Sequence, residues 1–211
     1  MHKEINIETW YRKDHFEFFS KFDEPFHGIT TKIDCTETYN AAKENGHSFF
    51  LSYLHKALVA VNRTVEFRYR IIDGKLYEFE TIDASPTIDR ENGSFGFSYL
   101  SYRENFQDFI ALAIPAIEKV RNSDRLMPSE SGENVIHCSA IPWVDFTSIS
   151  HARHFAFPDS CPKITFGKMT SDGDKLSMPV SVHVHHALVD GYHVAQFLEK
   201  FQNLMQEPCS A

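Results

Sequence analysis

The chain has 211 residues, 42% of them hydrophobic and 24% charged, with a formal net charge of −8. That balance suits a globular chain with a sizeable core, expected to form one domain over residues 1–211. No stretch collects the lysines and arginines that phosphate neutralisation needs, and no apolar window reaches the length of a membrane span, which argues against nucleic acid or a bilayer as the main partner.

In chain order, "MHKEINIETWYRKDHFEFF" is polar and charged, with no apolar h-region, so the expected location is the cytoplasm. Within it, Trp10, Tyr11, Phe18, Phe19 and Phe22 recur at near-helical spacing, predicting a helix over 8–22. "GITTKIDCTE" reads as a strand, followed by a polar helix ending near Gly46. "SFFLSYLHKALVAVNRT" opens on a serine cap and continues as an apolar helix. "EFRYRIIDGKLYEFE" alternates around Asp73-Gly74, a hairpin signal, and "SFGFSYLSY" is a further β-like run. "ENFQDFIALAIPAIEKVRNS" is helical, with Pro115 as the expected kink, and 123–134 reads as a loop. "NVIHCSAIPWV" is a strand, and "KITFGKMTSDGDKLSMPVSVHVHH" a hairpin turning at Asp172-Gly173. A final helix carries the stripe Val194, Phe197, Leu198, Phe201, Leu204 and Met205. With helices and strands intermixed and no glycine-rich phosphate loop after a strand, the fold class is α+β, a mixed α/β two-layer sandwich, and not a dinucleotide fold.

Cys35, Cys138, Cys161 and Cys209 have no metal-ribbon spacing and read as free thiols. The 19 phenylalanines are more than a core of this size usually uses, so some are candidates for lining an apolar ligand pocket.

The densest chemistry lies in "VSVHVHHALVDGYHVAQF", where His183, His185, His186, Asp190 and His193 fall within eleven positions. Strand alternation puts Val180, Val182, Val184 and His186 on one face and Ser181, His183 and His185 on the other. An inward His186 at the strand end would be kept neutral by burial and able to accept a proton near pH 7, the disposition of a general base. Two other readings stay open. His186 is a satisfied core histidine and Asp190 a helix cap, or His183 and His185 bind zinc with His193 or Asp190.

"HHALVDGYH" resembles the H-H-x-x-x-D-G motif of CoA-dependent acyltransferases, and the chain is similar to the chloramphenicol acetyltransferase family in particular. "TWYRKDHFEFF", "CSAIPWVDFTSI" and "ITFGKMTSDGDKLSMPVSVHVHH" resemble that family's N-terminal helix, Ser-Ala-x-Pro-Trp segment and closing hairpin. The resemblance implies the CoA-dependent acyltransferase fold, with a mostly hairpin-connected sheet and packed helices. It implies a homotrimer with active sites between subunits, acetyl-CoA as co-substrate, no metal, and O-acetylation of chloramphenicol, hence antibiotic resistance. By the same resemblance His186 is the base, Ser139 donates to the oxyanion, Thr165 holds a water, and Asp190 pairs with Arg12 in structural support. Phe19, Phe95 and Met127 fall at acceptor-pocket positions, Phe97 beside them where a small residue is common, and Lys168 is a candidate CoA contact. His185 and His193 read as structural. Phe19 in place of a tyrosine, Phe97, and His183 in place of a glutamine bear on acceptor choice, so a same-fold acyltransferase with another small acceptor is the alternative.

Overall fold

The computed structural model describes residues 1–127, 132–153 and 159–207; Cys209 lies outside them. Strand β1 is His2–Ile5, and a single 3-10 turn, Ile7–Thr9, follows it, with the Asn6 side chain accepting from the Glu8 amide. Helix α1 is only Lys13–Phe19, shorter than the expected 8–22. Trp10 adopts an extended conformation between the two helical pieces and buries its ring edge-on against Phe16 and Tyr69. Packing of one large side chain overrides the helical spacing around it.

Strand β2 (Phe26–Asp34) and helix α2 (Thr36–Glu44) precede the apolar helix α3 (Phe49–Asn62), whose Ser48 cap accepts from the Leu51 amide at 3.4 Å. Strands β3 (Tyr69–Ile72) and β4 (Lys75–Phe79) form the expected hairpin. Its turn residues Asp73 and Gly74 have φ of 50° and 75°, the left-handed pair that an Asp-Gly turn supplies. Together with β1 they make a small antiparallel sheet of order β1-β4-β3.

The larger sheet holds β5 (Asp83–Asp89), β6 (Phe95–Phe97), β7 (Val135–Ala140), β8 (Lys163–Phe166), β9 (Thr170–Asp172) and β10 (Lys175–His185), with β2. Its order is β2-β10-β8-β7-β5-β6, with β9 beside β10. Hairpins join β5 to β6 and β9 to β10, while β7 runs parallel to both β5 and β8. "SFGFSYLSY" contributes only β6 and a bridge from Leu100 to Ala84. The last hairpin turns at Gly173-Asp174, one residue later than expected, because Asp172 pairs with Lys175 and Gly173 takes φ 58°. The first arm is broken at Gly167, where a Cβ would lie 2.5 Å from Pro179 and 2.7 Å from the Phe146 ring.

Helix α4 (Phe106–Arg121) runs through Pro115, which lies on its exposed side, and α5 is Gly191–Gln206. Helix α3 packs on α2, α4 and α5, and its Tyr53 meets Phe166 of the sheet, as does Phe201 of α5. The predicted α5 stripe buries Val194, Phe197, Phe201 and Met205 in this layer. One sheet face carries Val180, Val182, Val184, Ile164 and Phe166 into the helical core. Among the described residues, no helix is long and apolar enough to cross a membrane.

Candidate active site

The histidine stretch spans the end of β10, a turn, and the start of α5. His185 is the last strand residue and His186 the first of the turn, so His186 leaves the register of the three valines. It is half-buried rather than fully interior. Its ring stacks on Phe19 of α1, with centroids 3.9 Å apart and planes 11° from parallel. The His27 ring lies 4.4 Å away. Among the described residues, its Nδ1 is shut away from solvent with no partner on another residue, and Nε2, which makes no hydrogen bond with any of them, is the nitrogen left open. Burial pushes the imidazole below its ordinary value of 6.5, and the charges of His27 and Arg12 act in the same direction. Contact with its own carbonyl and the charge of Asp190 work the other way. A neutral imidazole with one accessible nitrogen is what proton abstraction near pH 7 requires.

Behind this turn the structure brings Arg12 and Asp190 together, Nη1 to Oδ2, at 2.5 Å. The Arg12 side chain is 4% exposed, and its Nη2 also donates to the His186 carbonyl at 3.3 Å. Arg12 is therefore tied both to Asp190 and to the backbone of the histidine. Asp190 caps α5 through the Tyr192 amide, and the His193 ring accepts from the Asp190 amide in return. Burial works to raise the Asp190 carboxyl, but the Arg12 bond and the charges of His193 and Arg12 outweigh it and hold it below 3.8.

Ser139 and Thr165 lie elsewhere. Register places Thr30, Ser181, Thr165 and Ser139 in one row across β2, β10, β8 and β7, on the face opposite the core valines. Thr30 donates to Ser181 at 3.0 Å, while the buried Thr165 hydroxyl has no partner among the described residues. His186 is five residues from Ser181 along the chain, and Ser139 is two strands across. At about 3.3 Å per strand residue and about 4.8 Å between strands, the serine and the histidine of one chain are roughly 19 Å apart.

The expected acceptor residues divide in the same way. Phe19 is under the imidazole, whereas Phe95 and Phe97 are on β6, four strands from β10. Met127 is beside them, since the Phe97 amide donates to the Leu126 carbonyl. Phe95 and Met127 are 48% and 58% exposed, and Lys168 is exposed just past β8.

The zinc set suggested by spacing is not assembled. His183 lies over Gly28, whose Cβ would stand 2.3 Å from its Nε2, and meets His151 edge-on. His185 Nδ1 accepts from the Ala187 amide, and His193 belongs to the α5 cap. Among the described residues, the metal-ligating atoms within 4.8 Å of one another are those of His137, Asp159 and Cys161. Both Asp159 oxygens there are already engaged, by the Cys161 amide and by the Lys163 ammonium.

The family model described as "Chloramphenicol acetyltransferase" matches residues 1–202. The chain belongs to the chloramphenicol acetyltransferase family. A family member from Proteus mirabilis is 30% identical over 206 residues, which cover 97% of this chain and 95% of that protein. A solved chloramphenicol acetyltransferase superposes with a TM-score of 0.90 at 32% identity, over 97% of this chain and 100% of its own. A probable dihydrolipoamide acetyltransferase from Listeria monocytogenes, at 13% identity and TM-score 0.65 over 97% and 94% of the two chains, shares the fold alone. Within the chloramphenicol acetyltransferase fold of this chain, one site residue escapes sequence reasoning. His27 belongs to no motif, and only the pairing of Val184 with His27 brings it to the turn.

Proposed function

We propose that this chain transfers the acetyl group of acetyl-CoA to a hydroxyl of chloramphenicol, and so confers resistance to it. The observation that carries the reading is His186, stacked on Phe19, held below its ordinary 6.5 by burial and with Nδ1 shut away so that Nε2 faces outward, at the core of a motif belonging to a family named for this reaction. Nε2 removes the proton as the acceptor oxygen attacks the thioester carbonyl. The tetrahedral oxyanion accepts a hydrogen bond from the Ser139 hydroxyl, and Thr165 holds a water nearby. Collapse breaks the carbon–sulfur bond, and the departing thiolate recovers the proton from the imidazolium.

The separation of roughly 19 Å between Ser139 and His186 in one chain supports a site shared between subunits. A homotrimer supplies the base with Phe19 from one chain and Ser139 with Phe95, Phe97 and Met127 from its neighbour. Exposed apolar side chains fall on both halves, Phe18 and Phe22 near the base and Phe95, Met127 and Trp143 on the other, as an unpaired interface requires. Lys168 serves the CoA substrate, the working location is the cytoplasm, and residues 1–211 act as one domain. The reading is tested by acetyl transfer from acetyl-CoA, with sedimentation to fix the oligomer; a fully active monomer would remove the shared site.

A further inference from the structure

The start of β2 grips the turn that carries His186 at three places. The His186 amide donates to the Pro25 carbonyl at 2.8 Å. His27 Nε2 lies 3.2 Å from the Val189 carbonyl, and because a carbonyl only accepts, the proton is on that nitrogen. The His27 ring also contacts the His186 ring, at 4.4 Å and 42°. No ring contact among the described residues joins His27 to Phe19, so two rings within contact of one imidazole meet it on different sides. Phe19 comes from α1, while His27 comes from the strand that pairs with β10 along nine residues. The imidazole is thus bracketed between two elements, and the backbone of its turn is pinned at both ends, His186 to Pro25 and Val189 to His27.

From this geometry we infer that His27 is a positioning residue for His186, holding the 186–189 turn through its bond to the Val189 carbonyl and bracing the imidazole on a different side from Phe19. The inference rests on His186 being the base. It makes the N–H, and not just the ring, the working part. An apolar ring would retain the contact and lose the tether, whereas a glutamine, whose amide nitrogen reaches about as far as Nε2, would retain the tether.

The test compares wild type, His27→Phe and His27→Gln. The readouts are kcat and KM for acetyl-CoA and chloramphenicol, and the ¹⁵N-correlated imidazole signals of His186. His27→Phe is expected to lower kcat roughly tenfold or more, since small misplacements of a catalytic group are costly, with each KM within about twofold. His27→Gln is expected to restore most of kcat. The His186 ring should show one set of signals in wild type and His27→Gln, and a shifted or doubled set in His27→Phe. Wild-type kcat in His27→Phe, or equal loss in both variants, would overturn the inference. So would unchanged His186 signals in His27→Phe, a readout that decides the question even if chloramphenicol is not the acceptor. Absence of His186-dependent transfer in wild type would count against the acetyl-transfer reading instead.

Discussion

Replacing Asp190 by asparagine isolates one charge. The amide side chain would keep the cap, because its oxygen can still accept from the Tyr192 amide, and asparagine caps helices about as well as aspartate. What is lost is the carboxylate facing Arg12, a guanidinium 4% exposed whose Nε already lacks a partner. Removing one member of a fully buried pair costs about 3–5 kcal/mol, and of a surface pair about 0–1 kcal/mol. Asp190 is 29% exposed, which places the loss between these limits, at about 2–3 kcal/mol. For a chain of this length that lowers the melting temperature by about 4–12 °C. Thermal unfolding by circular dichroism at pH 7, beside kcat, reads both consequences. Activity should fall as well, because the freed guanidinium no longer holds the His186 carbonyl from a fixed position. A companion Arg12→Met/Asp190→Asn double variant should recover part of the stability, since no uncompensated charge remains buried. A melting temperature equal to wild type in Asp190→Asn would refute the structural role, most plainly if activity fell all the same.

Ser139→Ala should lower kcat about 10²-fold with little change in melting temperature, because the residue is half-buried and its hydroxyl makes no hydrogen bond among the described residues; a kcat within twofold of wild type would remove the oxyanion role. Burial pushes His137, His151 and His185 down to about 4, with Lys163, His183 and Arg153 respectively the next cause. The unfolded chain, with ordinary histidines near 6.5, then binds more protons than the folded one in the window between, so stability is full above about 6.5 and falls as pH drops towards 4. Melting temperatures taken across that window should decline steadily, and a flat profile would contradict the burial of these rings. Zinc measured after dialysis should be well below one ion per chain; stoichiometric zinc lost on His183→Ala would revive the metal reading.

Elements with local causes were legible in the sequence, and elements with distant causes were not. The Ser48 cap, the Asp73-Gly74 turn and the α5 stripe each lie within a few residues and predict their elements directly. Strand β5 has no local signal, because "DASPTID" lacks alternation and carries Pro86; its burial comes from β7, about fifty residues away. Helix α1 is shorter than its spacing predicts because nothing local shows that Trp10 turns towards Tyr69. The candidate site follows the same division. His186, Asp190 and Arg12 were readable through motif and resemblance, and the structure adds the geometry that joins them. Two features required the register. One is His27, opposite Val184; the other is the distance from Ser139 to His186, which no motif contains.

If His186 drives acetyl transfer to chloramphenicol, the protein must release the CoA thiol when both substrates are present. Purified protein and its His186→Ala variant are supplied with acetyl-CoA, with and without chloramphenicol, and thiol is followed with a chromogenic disulfide. Release is expected only when both chloramphenicol and His186 are present, with the variant still assembled as the wild type is. Chloramphenicol-dependent release at near wild-type rate from His186→Ala would contradict the base assignment. No release from the wild type would contradict the acceptor, and would direct the same assay to other small hydroxylated compounds.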